Sequence, residues 1–325
     1  MQEEEKVLLD VQHMKKYFDL GHGNKLHAVD DISFKINKGE TLGLVGESGC
    51  GKTTVGRTLI RLYEADGGKA FFNGTDVFAL SNREAKKMDL TAKMQMIFQD
   101  PYASLNPFMT VSEIIAEGLE IHHIGKNNEE RQQIVYDLLA QVGLHREHAN
   151  RFPHEFSGGQ RQRVGIARSL ALNPEFIVCD EATSALDVSV QAQIINMLID
   201  LREKRGLTYL VIAHDLSVVR YISDKVAVMY LGQIVEMGKV GQVYDHPVHP
   251  YTIGLLDSVP VADPDYEKNR KVRGMKGEVT SPVNPKPGCR FASRCPYATE
   301  ECRAADVPLK DIGGGHLVAC CHPQL

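Results

Sequence analysis

The sequence predicts an α/β fold, because short apolar runs that read as strands alternate with segments that read as helices between residues 41 and 213. This alternation indicates parallel strands. Two strand-like runs before residue 37 predict an antiparallel β subdomain, which makes the whole sheet system mixed. Helical patterns between about residues 100 and 175 predict a helical subdomain. Five of the 7 cysteines lie in residues 289–325, which indicates a small Cys-rich C-terminal domain.

The composition is that of an ordinary globular protein. The chain has 325 residues, of which 43% are hydrophobic and 24% charged, enough for two domains or for one large domain with an appendage. A net charge of −5 gives no basic field, so we expect no nucleic-acid partner. No apolar run approaches the ~18 residues of a membrane span, and the N-terminus MQEEEKVLLD lacks a secretion leader. We therefore expect a cytosolic chain.

The stretch GESGCGKTT, residues 46–54, matches the pattern G-x-x-x-x-G-K-[ST] at every fixed position. The strand-like run TLGLV precedes it, and residues 55–62 read as a helix. In this arrangement backbone N–H groups surround phosphate oxygens, Lys52 reaches the outer phosphates and the Thr53 hydroxyl ligates Mg²⁺. We predict a nucleoside triphosphate site. The expected contacts are Gly46, Ser48, Gly49, Cys50, Gly51, Lys52, Thr53 and Thr54.

Two further positions near strand ends are candidates for nucleotide contacts. Tyr17 and Phe18 precede a glycine-containing loop, where an aromatic ring could stack on a purine; composition alone favours a core or hairpin role. The apolar strand at residues 94–98 ends in Gln99. Ligands collect at this edge of open α/β sheets, so Gln99 is a candidate ligand-binding residue.

A second group of motifs lies between residues 157 and 214. Ser157 is well placed to cap a helix, and the free N–H groups behind it could hold an anion, although SGGQ taken alone is more often a simple cap. An apolar strand at residues 176–179 ends in Asp180 and Glu181. Adjacent carboxylates are usually only solvated, but with a full phosphate-binding loop upstream we favour Mg²⁺ binding by Asp180 and water activation by Glu181. The strand TYLVIA delivers His214 to the same edge.

The order and spacing of these motifs closely resemble ABC-transporter ATPases over residues 5–258. The resemblance implies ATP as the ligand, with Mg²⁺ at Thr53, Gln99 and Asp180. It implies catalytic roles for Lys52, for Glu181 as the general base and for His214 as the switch histidine. The remaining matches are Tyr17 for the adenine-stacking aromatic, with Phe18 as competitor, Gln99 for the Q-loop, Ser157, Gly158, Gly159 and Gln160 for the ABC signature, and Asp187 of SALD for the D-loop.

In this family two cassettes meet head to tail, so the signature of one subunit caps the γ-phosphate held by the other. The chain resembles the ATP-binding subunits of oligopeptide and dipeptide importers in three segments, FQDPYASLNP, DVSVQAQ and HPYTIGLLDSVP. Such importers have two kinds of ATP-binding subunit, called F-type and D-type, and Cys50 and Gln160 resemble the F-type. The expected partners are a D-type ATPase subunit in a heterodimer, two transmembrane permease subunits and, through the complex, an extracellular peptide-binding protein. The expected location is peripheral, on the cytoplasmic face of the cell membrane.

The cysteine tail has a ligand-like spacing. In a reducing compartment a cluster of thiols argues for metal before disulfide, and four thiolates allow zinc as readily as iron–sulfur. The tail resembles the C-terminal domain of the peptide-transporter subunits, which in some members carries a [4Fe–4S] cluster, and no tight zinc-ribbon C-x₂-C is present. We expect the ligands Cys289, Cys295, Cys302 and Cys320, with Cys321 and His322 as competitors for the fourth position.

Three alternatives remain open on sequence alone. The cassette could be a soluble ABC ATPase acting in translation or DNA repair, although such chains usually carry two cassettes or a long coiled coil. It could energise import of another small solute, or be a poorly hydrolysing half. The family's usual Pro after the catalytic Glu is Ala182 here.

We expect the ATPase domain to cover residues 1–258 and the Cys-rich domain residues 259–325.

Overall fold

The computed structural model describes residues 6–184, 186–259, 277 and 280–324. The chain divides into two compact units. The first unit contains Lys6, Asn37–Glu40 and Ala79–Ala213 among its described residues. The second unit contains Val7–Ile36, Thr41–Phe78 and the described residues from His214 onward.

The described strands and helices follow the chain in the expected alternation. The strands are β1 (Val7–Gly21), β2 (Asn24–Asn37), β3 (Thr41–Val45), β4 (Gly67–Phe72), β5 (Thr75–Asp76), β6 (Met94–Ile97), β7 (Phe176–Asp180), β8 (Thr208–Ile212), β9 (Lys225–Tyr230), β10 (Gln233–Lys239), β11 (Lys310–Asp311) and β12 (Leu317–Val318). The helices are α1 (Lys52–Leu59), α2 (Asn82–Lys87), α3 (Leu90–Lys93), α4 (Pro101–Ser104), α5 (Val111–Ile121), α6 (Asn128–Gln141), α7 (Gly158–Leu170), α8 (Val188–Arg205), α9 (Leu216–Ile222), α10 (Val240–Asp245), α11 (Pro250–Asp257) and a short helix, Glu301–Ala304. Short 3-10 turns lie at Arg146–Asn150 and Pro153–Glu155.

The second unit holds the antiparallel subdomain. Its four strands run in the order β2, β1, β4, β5, with β4 antiparallel to β1 and β5. The predicted antiparallel pair near the N-terminus is confirmed, and its strands are longer than the apolar runs indicate. The pairing of β1 with β4 continues past the buried residues Leu9, Val11 and Met14 to Lys15, after a register shift.

The second unit also contains strands in the order β11, β12, β10, β9, β3. β3 is parallel to β9, whereas β9, β10, β12 and β11 pair antiparallel, so the mixed character is confirmed. β3 is fully buried, and a Cβ atom at Gly43 would lie 2.2 Å from Val219 of α9. A glycine in β3 therefore allows α9 to pack closely against the strand that leads into the phosphate-binding loop.

The first unit contains three parallel strands, in the order β8, β7, β6, with helices α2 to α8. In the register, Ile97 lies opposite Cys179, and Asp180 lies opposite Ile212. Parallel strands end at the same edge, so Gln99 and Glu181, which follow β6 and β7, reach one edge of this unit. The helical segment between residues 100 and 175 is confirmed as helices α4 to α7.

One helix has bounds that differ from the sequence-based prediction. The helix after the phosphate-binding loop begins at Lys52 and ends at Leu59, because Gly51 is its N-cap and Arg61 adopts a φ of 62°. Helix α7 begins at Gly158, directly after Ser157 as the predicted cap requires, and Ser157 Oγ accepts the N–H of Gln160.

The C-terminal residues pair with both sheets of the second unit. β12 extends β10, and Leu26 of β2 forms a bridge with Val283. The predicted boundary between residues 258 and 259 stays a prediction, and residues 260–276 lie outside the described residues. No helix within the described ranges is both long enough and apolar enough to cross a membrane.

Candidate functional site

The loop at residues 46–54 has a backbone that two of its glycines make possible. Gly46 and Gly51 adopt φ values of 151° and 107°. A Cβ atom at Gly46 would lie 2.1 Å from the carbonyl oxygen of Met229, and one at Gly51 would lie 1.9 Å from that of Ala28. Both distances are below any real contact, so a side chain at either position would force the loop to open.

Lys52 lies inside the curl of this loop. Its side chain is 4% exposed, and its Nζ donates hydrogen bonds to the carbonyl oxygens of Gly46 at 2.8 Å and Glu47 at 3.0 Å. Cys50 Sγ is 3.7 Å from the same Nζ, and burial raises the pKa of this thiol more than the lysine lowers it. The loop thus encloses one cation beside a neutral thiol, an arrangement suited to an anionic ligand.

The two candidate aromatic residues on β1 have different neighbours. The hydroxyl of Tyr17 donates a hydrogen bond to Asp30, and its ring centroid lies 4.1 Å from that of His27. Burial, followed by the bond to Asp30, raises the pKa of Tyr17. Phe18 makes an edge contact with Tyr63, with centroids 5.4 Å apart. The partly buried Asp30 thus holds the Tyr17 side chain in place. Which of the two rings stacks on adenine stays a prediction.

Gln99 and Glu181 meet directly in the first unit. Gln99 Nε2 donates a hydrogen bond to Glu181 Oε2 at 2.5 Å, and Glu181 is 7% exposed. The glutamate adopts a φ of 47°, and its backbone N–H donates to the Ile212 carbonyl at 2.8 Å. Left-handed backbone at a residue other than glycine is strained and concentrates at functional sites. The sequence prediction that both residues reach one edge agrees with this contact.

The residues that flank Glu181 are also closely held. Asp180 ends β7 and is almost fully buried, and the N–H and Oγ of Ser184 both donate to the Glu181 carbonyl at 3.1 Å. Asp187 caps α8 through a 3.0 Å bond from the Val190 N–H. The Ser189 hydroxyl bond and that backbone bond lower the pKa of Asp187. Ala185 of the SALD stretch lies outside the described residues.

The SGGQ stretch forms the N-terminus of α7 and a complete capping box. Ser157 Oγ accepts the Gln160 N–H at 3.3 Å, and the Gln160 side chain accepts the Ser157 N–H at 3.0 Å. A Cβ atom at Gly159 would lie 2.4 Å from Val190 of α8, so this glycine permits close helix packing. The predicted helix cap is confirmed, and Ser157 and Gly158 remain exposed at the surface of the first unit.

His214 is exposed and belongs to the second unit, directly before Asp215, which caps α9. Asp215 accepts the Ser217 N–H at 2.8 Å. The position of His214 at the end of TYLVIA agrees with the sequence prediction, and its catalytic role stays a prediction.

The C-terminal cysteines line one small cavity with apolar walls. Its lining includes Cys289, Cys295, Cys302, Cys320, Cys321, His249 and Phe291. Burial raises the pKa of Cys320 to about 11, whereas hydrogen bonds from Thr299 outweigh burial and lower that of Cys302. Within the described part of the chain, no three His, Cys, Asp or Glu side chains are arranged to hold a single metal ion.

Sequence reasoning missed three residues that support the phosphate-binding loop, namely Glu47, Tyr251 and Arg294. The carboxylate of Glu47 accepts hydrogen bonds from Arg294 at 2.9 to 3.2 Å, and its N–H donates to the Tyr251 hydroxyl at 2.9 Å. Tyr251 lies in the stretch HPYTIGLLDSVP, and Arg294 directly precedes Cys295 in the cysteine tail; both segments carry the family resemblance. These segments were the available signal, but contacts between residues more than 200 positions apart cannot be read from a single sequence.

Comparison with known proteins identifies the family. Residues 29–184 match the family model for the ABC transporter, and residues 235–302 match the model for the oligopeptide/dipeptide transporter C-terminal region. The oligopeptide transport ATP-binding protein OppF of Bacillus subtilis is 60% identical over 81% of this chain and 86% of its own length. The chain belongs to the ABC transporter family. OppF of Escherichia coli is 46% identical over 97% of this chain and 96% of its own length.

The solved structures agree with this placement in the ABC transporter family. The ATP-binding cassette MJ0796, in a dimeric post-hydrolysis state bound to ADP and Pi, has a TM-score of 0.65 and 29% identity, covering 71% of this chain and 98% of its own. The predicted ABC ATPase fold is confirmed. As an ABC ATPase the protein binds ATP with Mg²⁺ and hydrolyses it. The comparisons do not favour the alternative of a cassette acting in translation or DNA repair.

Proposed function

We propose that this ABC ATPase energises the import of dipeptides or oligopeptides. The observation that carries the proposal is that relatives named as oligopeptide transport ATP-binding proteins match nearly the whole chain, including its C-terminal region. The cassette would act on the cytoplasmic face of the membrane as a peripheral subunit. ATP binding closes it against a partner cassette, and hydrolysis reopens the pair.

The site residues have distinct roles in this proposal. Lys52 leaves the carbonyls of Gly46 and Glu47 for the β- and γ-phosphates, which its position inside the loop makes possible. Glu181 orients and activates the attacking water, supported by its buried, strained position and its contact with Gln99.

The proposed Mg²⁺ ligands are Thr53, Gln99 and Asp180. They offer hydroxyl, amide and carboxylate oxygens, the hard donors that this ion prefers, so their chemistry fits the ion. When bound, Mg²⁺ would neutralise charge on the phosphates. The remaining proposed contacts are Tyr17 or Phe18 for adenine, Asp187 at the D-loop, and His214 near the γ-phosphate.

Replacement of Glu181 by Gln tests the proposed general base. Gln keeps the size of the side chain, and its one oxygen can still accept the hydrogen bond from Gln99, but it cannot accept a proton from water. We expect ATP affinity to change less than about threefold and ATP hydrolysis by the assembled transporter to fall by about 100-fold or more. Glu203→Gln, an exposed position on α8, is the matched control and should hydrolyse at the parent rate. Parent-rate hydrolysis by the Glu181 variant would show that another group is the base.

We also propose that the working enzyme is a heterodimer with a D-type cassette. The exposed N-terminus of α7, at Ser157 and Gly158, supports pairing with another cassette, because its N–H groups and dipole favour an anion brought by a partner. The resemblance of Cys50 and Gln160 to the F-type subunit supports a D-type partner. Ser48 and Gly49 of the phosphate-binding loop are exposed as well. Each nucleotide would thus lie between the loop of one chain and the signature of the other.

Ser157→Arg tests the action of the signature on the partner's nucleotide. In a heterodimer in which this chain carries Lys52→Ala, its own phosphate-binding loop is disabled. Only the site formed by the partner's loop and the signature of this chain then remains. There Ser157→Arg should reduce hydrolysis by about 100-fold, the effect of losing a transition-state donor. Ser157→Thr is the matched control, because it keeps the helix cap. Unchanged hydrolysis in the Arg variant would contradict the role in trans.

A docking surface for apolar membrane subunits is supported by exposed aromatic side chains in the first unit. Phe108 is 88% exposed and Tyr102 is 64% exposed. Arg161 joins this region, since its Cζ lies 5.3 Å from the Tyr102 ring centroid and its Nε donates to the Pro153 carbonyl at 2.8 Å. Aromatic residues are enriched where transient partners bind. We propose that the two permease subunits contact this aromatic surface, and that an extracellular binding protein delivers peptide to them.

The double variant Tyr102→Ser, Phe108→Ser tests the docking surface. Both side chains are exposed, so the fold should tolerate the change, while binding loses its aromatic anchors. We expect co-purification with the permease subunits from detergent to fall by about tenfold. Tyr221→Ser, which removes an aromatic that is 67% exposed on α9, is the control and should leave recovery unchanged. Undiminished recovery of the double variant would place the docking surface elsewhere.

For the cysteine cavity we propose a [4Fe–4S] cluster held by Cys289, Cys295, Cys302 and Cys320. Soft thiol donors that face one apolar cavity suit an iron–sulfur cluster, and its several metal atoms need ligands further apart than those of a single ion. When bound, the cluster would join the turns of this segment. Zinc is the other occupant that thiols accept.

Metal analysis of the anaerobically purified complex tests the cluster. We expect about four iron atoms per chain and charge-transfer absorbance in the visible range. Cys302→Ser and Cys320→Ser should lose iron, whereas Cys321→Ser and Cys179→Ser, a buried thiol of β7, should retain it. Zinc without iron would contradict the cluster. Iron that is retained by Cys320→Ser but lost by Cys321→Ser would make Cys321 the fourth ligand.

A further inference from the structure

Glu47, the second residue of the phosphate-binding loop, is held from three directions within the second unit. Its N–H donates to the Tyr251 hydroxyl at 2.9 Å, and its carbonyl accepts from Lys52 Nζ at 3.0 Å. Its carboxylate accepts a fork of bonds from Arg294, at 2.9 and 3.1 Å from one nitrogen and 3.2 Å from the other. Every polar group of Glu47 thus has a partner before any nucleotide arrives.

Arg294 is itself closely fitted into the second unit. Its side chain is 8% exposed, and its Cζ lies 5.9 Å from the Tyr230 ring centroid and 5.8 Å from that of Phe291. Burial alone would lower the pKa of this guanidinium, but the bonds and charge of Glu47 outweigh burial and raise it. Arg294 is therefore a permanent cation whose buried charge is balanced by a residue of the loop.

The aromatic side chains around Arg294 give it one orientation. Phe291, three residues earlier, is 2% exposed and contacts Tyr230 and Tyr251 at centroid distances of 5.3 and 5.4 Å. The backbone N–H of Arg294 donates to the Phe291 carbonyl at 2.9 Å, which closes a tight turn. Tyr251, whose hydroxyl accepts from Glu47, belongs to the same aromatic cluster. The guanidinium fork is thus preorganised toward the loop.

Charge explains why this fork matters for a nucleotide. Glu47 places a negative charge between Gly46 and Ser48, in a loop that must receive a triphosphate. Without Arg294, the carboxylate of Glu47 would be unpaired and would repel phosphate. The loop would also lose one of the contacts that hold it in shape. When Lys52 turns toward phosphate, its bond to the Glu47 carbonyl is lost, and the bonds from Arg294 and to Tyr251 remain.

We propose that Arg294 is a positioning residue for ATP binding, which neutralises Glu47 and holds the phosphate-binding loop in shape while Lys52 moves to phosphate. The proposal rests on the proposed use of this loop for ATP. The proposal gives the Cys-rich segment a direct part in nucleotide affinity, because Arg294 directly precedes Cys295. In the sequence, this segment and the loop lie far apart.

Binding of a fluorescent ATP analogue with Mg²⁺ to the full-length chain tests the proposal. Arg294→Gln should weaken binding by about tenfold or more, the value of one charge-assisted hydrogen bond. Adding Glu47→Gln to that variant should recover at least half of the loss on a logarithmic scale, because the unpaired charge is removed. Arg294→Lys, which keeps the charge without the fork, should lie between the parent and Arg294→Gln.

Arg220→Gln provides the matched control. Arg220 donates to Asp245 at 2.7 Å in the same unit, but both side chains are about half exposed and lie outside the loop. Its replacement should leave ATP affinity unchanged. In the assembled transporter, Arg294→Gln should raise the KM for ATP by a similar factor to the affinity loss and leave kcat nearly unchanged, because no group that touches the reacting atoms is altered.

Two results would overturn the proposal. One is an Arg294→Gln chain that binds ATP as tightly as the parent. The other is a loss that Glu47→Gln does not relieve, which would show that Arg294 acts through general folding. A parent chain that binds no ATP would instead overturn the proposed function itself, and the inference with it.

Discussion

Burial of a guanidinium without a carboxylate partner is costly, and this constraint organises the second unit. Arg290 and Arg294 lie on one turn between two cysteines, and both are largely buried. Arg290 donates to Asp30 and to the Leu231 carbonyl, whereas Arg294 donates to Glu47. Asp30 in turn accepts from Tyr17, the candidate adenine-stacking residue. One turn therefore supports both the expected adenine contact and the expected phosphate contact.

Local features of the fold were predictable because neighbouring residues determine them. The strand before the phosphate-binding loop, the Ser157 cap and the strand that ends in Asp180 all follow from short stretches of sequence, and the structure places them as expected. The pair formed by Arg294 and Glu47 joins residues 247 positions apart. No local pattern encodes such a pair, since it depends on how β9, α11 and the C-terminal segment pack together.

The site in the first unit shows a similar division between local and long-range causes. Spacing alone placed Gln99 and Glu181 at one sheet edge, because both follow parallel strands. The hydrogen bond between them and the φ of 47° at Glu181 are properties of the folded chain. Ala182 follows Glu181 where the family usually has proline. The bonds to Ile212 and from Ser184 hold the turn at Glu181.

The aromatic cluster of Tyr230, Tyr251 and Phe291 connects the cysteine cavity with the nucleotide loop. Phe291 lines the cavity, and Tyr251 accepts the Glu47 N–H. A change in the cavity that moved Phe291 would also shift Arg294, because the two residues share a hydrogen-bonded turn. Dense packing transmits such a displacement, since a core side chain cannot move without its neighbours. The C-terminal cysteines thus lie close to the phosphate-binding loop in the fold, although they are far from it in the sequence.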